Sequence, residues 1–237
     1  MRDYLIFVDT ETSGIPKNWK APYSDDTQWP HVVQLAWVIY DQEGKLLKEE
    51  NYYINDNDFK ISKASQEVHG ISQEYLLEHG HSRLGVMKHL QKDLEHFQPL
   101  LIAHYVKLDF HMLSAEFYRT QLENPLSALP AFCTMKATED YIRYPNRKYL
   151  SLGELYKRLF QEPLPQPHNA LTDAQATAAC FFAMKDKGDI NRQVIERQQK
   201  QHAEDHLEDS SKSKSYLYII LTLAVLFFLL LIFFGYE

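Results

Sequence analysis

Tyr4-Leu5-Ile6-Phe7-Val8-Asp9-Thr10-Glu11-Thr12-Ser13-Gly14 places five apolar residues ahead of two acids that are separated by one position. A period of two in extended backbone sends Asp9 and Glu11 to the same face. Carboxylates brought together repel unless a divalent cation lies between them, and strand ends in α/β sheets are where binding crevices form. Taken alone, a D-x-E describes a solvated strand end more often than a site. Its meaning depends on what else the chain brings to that edge.

Working outward, Val32 to Tyr40 reads as a central strand. Asp41-Gln42-Glu43-Gly44 reads as a turn and Lys45 to Tyr53 as a third strand, which together predict a meander. Apolar residues at 84, 87, 90, 94 and 97 predict a helix over Leu84 to Phe97. Leu100 to Ala103 reads as a short buried strand, Phe110 to Leu122 as an amphipathic helix, Ala131 to Thr134 as another strand and Leu152 to Phe160 as a helix. Pro163, Pro165 and Pro167 make an extended loop before a helix over Thr172 to Lys187, which Gly188 stops. Strands followed by helices predict a mixed α/β fold, with a folded domain over residues 1–188.

Three further polar residues fall at comparable places. Asp109 lies near the start of the helix that follows the short strand, where an acid also offsets the helix dipole. His168 sits in the loop after the prolines, and Asp173 lies one turn into the next helix. With Asp9 and Glu11 they make four acids and one imidazole, each at the end of a strand or the beginning of a helix.

On these segments the sequence resembles the DEDDh 3′–5′ exonucleases, which include the proofreading subunit of bacterial DNA polymerase III. Phe7-Val8-Asp9-Thr10-Glu11-Thr12-Ser13-Gly14 matches the first motif. Ala103-His104 through Leu108-Asp109-Phe110 matches the second, and His168 through Asp173-Ala174 the third. Val68-His69-Gly70-Ile71-Ser72 is similar to another family segment, and Asn169 stands where the DEDDy class has Tyr. The resemblance spans about Tyr4 to Met184. It implies an RNase H-like fold, a mixed five-stranded sheet flanked by helices. It also implies two divalent cations, Mg²⁺ or Mn²⁺, held by Asp9, Glu11, Asp109 and Asp173, with His168 as the catalytic base. Nucleoside 5′-monophosphates would leave the 3′ end of single-stranded DNA or RNA. His69 is the candidate wall of a pocket for the last nucleotide, and Thr10 and Thr12 are candidate substrate contacts. The sequence departs from the family at Tyr105, where Asn is usual, and at Leu108, where Phe is usual. Two rival readings are a nucleic-acid-binding scaffold on an inactive exonuclease fold and a hydrolase of small phosphoesters.

Charge and composition agree with an enzyme rather than a protein that coats nucleic acid. Among 237 residues, 25 Lys and Arg stand against 32 Asp and Glu, a formal charge of −7, so no bulk positive field attracts a polyanion. Two cysteines are too few for a disulfide framework. Residues 189–215 are almost wholly polar and read as a spacer. Within it, His202-Ala203-Glu204-Asp205-His206 nearly spells a zinc-hydrolase motif but has Asp where Glu is needed, and a solvated helix face is expected. Tyr216 to Tyr236 carries no charge over 21 residues, enough for one helix across a bilayer. Lys212 and Lys214 before it predict a single-pass tail anchor in a lipid bilayer with the catalytic domain in the cytoplasm. The N-terminus shows no secretory h-region.

Overall fold

The computed structural model describes residues 2–56, 58–142 and 148–202. Five strands form one sheet in the order β3-β2-β1-β4-β5: β1 (Tyr4–Thr12), β2 (Val32–Asp41), β3 (Leu46–Tyr53), β4 (Leu100–Ala103) and β5 (Ala131–Cys133). The first three are antiparallel neighbours, as the meander predicts, and β4 and β5 run parallel to β1. The β2–β3 turn closes where Lys45 returns its carbonyl to the Asp41 amide, with Gly44 supplying the positive φ of 85°.

Alternation along β1 separates two cores. Ile6 and Val8 face α3 (Arg83–Phe97) and α4 (Val106–Thr120), together with Leu35, Trp37 and Ile39 of β2. Leu5 and Phe7 face α5 (Leu152–Phe160) and α6 (Ala170–Asp186), where Phe181 meets Phe7 edge-on. Both faces of β1 and β2 are therefore covered, which is why their sequences read as continuous apolar runs.

Two short helices lie between β3 and α3 that periodicity did not predict: α1 (Lys63–His69) and α2 (Gln73–His79). Ser62 and Ser72 cap them, and Gly70 breaks between them at φ 73°. The start of α4 also lies earlier than its apolar spacing predicts, at Val106, so Asp109 sits within the first turn rather than ahead of it. On the last strand, Ile190 and Ile195 are buried against α6 and β5, and the Gln198 side chain both accepts from the Cys133 amide and donates to its carbonyl. Residues 192–202 are helical, and the first compact unit runs to Gln199, beyond the domain edge expected at 188. A glutamine that satisfies edge-strand backbone and two isolated isoleucines give no composition signal, so this segment read as spacer.

The expected span at 216–236 and residues 203–215 of the expected spacer, including Asp205 and His206, lie outside the described residues. Among the described residues no helix is long and apolar enough to cross a membrane.

The segment between β1 and β2 is tied down by a buried ionic cluster. Glu116, fully buried on α4, accepts from Arg119 Nη1 at 2.8 Å and from the Val32 amide at 2.9 Å. Its other oxygen lies 2.7 Å from Arg83 Nε, an ion pair off the N–H axis rather than a hydrogen bond. Arg119 donates onward to the Trp29 and Pro30 carbonyls and to Asp26, while Arg83 grips Asp58 with both nitrogens. Removing Glu116 takes a buried carboxylate from between two buried guanidinium groups, leaving Arg83 with Asp58 and Arg119 with Asp26. Glu116→Ala is expected to lower the unfolding free energy by about 3–5 kcal/mol in urea titrations, with Glu116→Gln costing less.

Candidate active site

The site forms because β1 outruns its parallel neighbour. The last β1–β4 pair is Phe7 with Ile102, which leaves residues 8–12 open on that side, and the first turn of α4 fills the gap. There Thr10 Oγ1 donates to Asp109 Oδ1 at 2.9 Å and fixes a buried carboxyl beside the strand. On the other side of β1, residues Asp9 and Glu11 pair in register with Ala36 and Gln34. Asp9 and Glu11 share the strand face covered by α6, and α6 brings Asp173 in its first turn.

The N-terminus of α6 is held from several directions. Gln34, fully buried in β2, accepts from the Ala170 amide at 3.2 Å and donates to Asn51 Oδ1 at 3.0 Å. Asn169 caps the helix by accepting from the Thr172 amide, and its side chain also bonds to the Tyr53 hydroxyl. His168 is exposed and adopts the left-handed region at φ 65°, an unfavourable setting for a non-glycine residue. In that conformation its amide donates to Asp173 Oδ2 at 3.0 Å. The strain therefore orients both members of the third motif.

The four carboxyls are electrostatically joined. Burial raises the Asp9 carboxyl well above its ordinary range, and the charges of Asp109, Asp173 and Glu11 add to the shift. Glu11 is pushed up to about 8 by burial, then by Asp173 and Asp109. Asp109 rises to about 7, mainly through burial and against its bonds to Thr10. Asp173 is also raised, by burial. Ligand atoms of Glu11, His168 and Asp173 lie within 4.8 Å of one another, and Asp173 Oδ1 is buried with no hydrogen-bond partner. Hard oxygens, mutual repulsion and one orphaned lone pair fit a divalent cation. His168, expected as a base alone, thus also stands within ligand reach.

The other expected residues fall out differently. Both threonine hydroxyls donate within the chain, Thr10 to Asp109 and Thr12 to the Gly14 carbonyl at 2.6 Å, which leaves their oxygens as acceptors and their backbone for the expected substrate contacts. His69 ends α1; its Nδ1 accepts from the Ile71 amide at 3.0 Å and its Nε2 lies 3.3 Å from the Thr12 carbonyl. That fixes the proton on Nε2. The ring borders a cleft of about 270 Å³ lined by Glu11, Thr12, Ile15, Ser65 and Val68. His104, quoted in the second motif, links Thr134 to the Leu150 carbonyl and is held neutral by burial, at about 4. Sequence reading missed Gln34. The available signal was a lone amide inside the apolar run Val32 to Tyr40.

A raised carboxyl makes the folded state bind more protons than the unfolded chain. The stability these groups contribute is full below their unfolded values near 4 and is lost as pH climbs through about 7 to 8. In chelator, the melting temperature is therefore expected to be about 5 °C lower at pH 8.5 than at pH 6. Mn²⁺ or Mg²⁺ should recover more of it at pH 8.5, as calorimetry at the two pH values would show.

Comparisons with known proteins bear on the fold and the family. No curated protein matches the chain significantly. Among solved structures, the zinc-bound complex of E. coli exonuclease I with single-stranded DNA superposes with TM-score 0.65 at 18% identity, covering 79% of this chain and 41% of that one. A 3′-exonuclease solved for 3′-end recognition of a histone mRNA stem-loop gives 0.61 at 14% identity, covering 79% and 83%. Cell-death related nuclease 4 gives 0.60 at 18%, covering 79% and 65%. The chain thus spans about two fifths of exonuclease I. These likenesses establish a shared fold, consistent with the RNase H-like exonuclease architecture. A sequence model of the exonuclease family, RNase_T, matches residues 6–181, and on that match across most of its length the chain belongs to this exonuclease family.

Proposed function

We propose that the chain is a divalent-cation-dependent 3′–5′ exonuclease that removes nucleoside 5′-monophosphates from the 3′ ends of single-stranded DNA or RNA. The observation that carries this reading is the convergence of four carboxyls with raised proton affinity at the open end of β1, beside an exposed imidazole. Family membership and the single-stranded DNA held by exonuclease I support it.

Asp9, Glu11, Asp109 and Asp173 would hold Mg²⁺ or Mn²⁺, which supplies a water activated at neutral pH and charge relief for the departing 3′-oxygen. His168, on its exposed loop, takes the proton of the attacking water. Attack at phosphorus breaks the bond to the 3′-oxygen, so the phosphate stays on the released nucleotide and a 3′-hydroxyl remains on the strand. Thr10 holds Asp109 in place, and Gln34 and Asn169 hold the helix end that carries Asp173. The cleft beside His69, walled by Ile15 and Val68, accepts the terminal nucleoside. His69 lines it while its own nitrogens stay bonded to backbone. The tether belongs to the same proposal: residues 216–236 anchor the enzyme in a bilayer with the catalytic domain on the cytoplasmic side. The uncharged 21-residue run supports it.

With a 5′-labelled single strand and Mg²⁺, the wild-type chain is expected to give a ladder of products shortened from the 3′ end, abolished by chelator. Asp9→Ala should fold, by circular dichroism, and lose at least 10³-fold in rate; full activity in that variant removes the assignment. His168→Ala should cost about 10²- to 10⁴-fold in turnover while Mn²⁺ still raises the melting temperature. For the tether, full-length chain should stay with vesicles through an alkaline carbonate wash. Recovery of the washed protein in the supernatant would contradict the anchor.

A further inference from the structure

The segment between β1 and β2 carries Lys17-Asn18-Trp19-Lys20, and the fold brings it against the start of α4. Trp19 packs with its ring centroid 6.2 Å from Tyr105 and 5.8 Å from His111, and it meets Trp29 edge-on at 6.2 Å. Lys107 Nζ lies 5.2 Å from the Trp19 ring centroid, and Lys17, Lys20 and Lys107 are all exposed. Tyr105 is 39% exposed, although it sits at the cap of a buried helix and makes no side-chain capping bond. Four residues later on that helix is Asp109, so the tyrosine stands one turn, about 6 Å of rise, from a carboxyl of the site.

Of the segment's two acids, one is neutralised by an arginine and the other keeps its charge. Asp25 bonds the Thr27 amide and hydroxyl, and Asp26 is paired with Arg119. In a chain of net charge −7, three exposed lysines lie on the two segments that bring Trp19 and Tyr105 together, with Lys107 over the Trp19 ring. Aromatic faces interleaved with cations are the combination that holds unpaired bases and their phosphates without reading sequence.

We infer that Tyr105, propped by Trp19 and flanked by Lys107, is a stacking platform for a base of single-stranded nucleic acid upstream of the terminal nucleotide. The inference rests on the exonuclease reading for the direction in which the strand runs. A base lies on the open face of Tyr105 while Lys107 meets the backbone. The residue that departs from the family's usual Asn thus gives the site a grip on strand rather than on mononucleotide. Duplex ends, whose bases are already stacked on partners, gain less from it.

The test is binding by the full 237-residue chain in mild detergent with Ca²⁺, read by anisotropy of a labelled 12-nucleotide oligothymidylate and by its competition with thymidine 5′-monophosphate. Tyr105→Ala is expected to weaken the oligonucleotide about tenfold and to leave mononucleotide competition within twofold. Tyr105→Phe should retain wild-type affinity. Lys107→Ala should flatten the dependence of log Kd on log salt by about 0.7. An oligonucleotide Kd within twofold of wild type for Tyr105→Ala overturns the platform, as does equal weakening of both ligands, which marks a structural role. Loss of Mg²⁺-dependent digestion in the wild type, with Tyr105-dependent strand binding intact, would instead sink the exonuclease reading and spare the platform.

Discussion

Repulsion among like charges at one strand end is the constraint around which this molecule is arranged. Folding alone gains nothing from bringing Asp9, Glu11, Asp109 and Asp173 together, because each loses water and the charges of Glu11, Asp109 and Asp173 raise the proton affinity of carboxyls beside them. The cost is carried by a rigid surround. Two cores clamp β1 from either face, and β2 lies fully buried along its side. Hydrogen bonds from Thr10 and the His168 backbone then hold individual carboxyl oxygens. Protons relieve the repulsion at low pH, and a divalent cation would relieve it at neutral pH, which is the sense in which the fold anticipates cations.

The same economy explains the supports around it. Gln34 is an amide buried in an otherwise apolar strand, and its two bonds join the sheet to the start of α6. Tyr53 reaches that helix end from β3 through Asn169. On the opposite side, Arg83, Glu116 and Arg119 fasten the segment that bears Trp19 onto α3 and α4. The carboxyls at strand and helix ends are thereby held by the sheet, while Trp19 rides on a loop fastened by charge.

Much of this was legible in the residues. The sheet's antiparallel half followed from three β-rich runs, and the spans of β4 and α5 were readable to the residue because Leu100–Ala103 and Leu152–Phe160 are bounded by clear breaks. The motif spacings brought the right acids to one place. The end of α4 was harder: it stops at Thr120, before the expected Leu122, with Gln121 in a left-handed conformation where Gly or Asn is the usual sign. Helices α1 and α2 are seven residues each, too short for a period to show. Which acceptor a hydroxyl finds is not a property of spacing, so the bonds from Thr10 to Asp109 and from Thr12 to Gly14 were not legible. Ile190, Ile195 and Gln198 depend on long-range contacts that a local polar composition conceals.

Soaking crystals of the protein in Mn²⁺ and recording anomalous diffraction at the manganese edge addresses the cation cage most directly. The account predicts strong peaks bounded by the carboxyls of Asp9, Glu11, Asp109 and Asp173. A clean map at that strand end, with manganese bound elsewhere or nowhere, would contradict it.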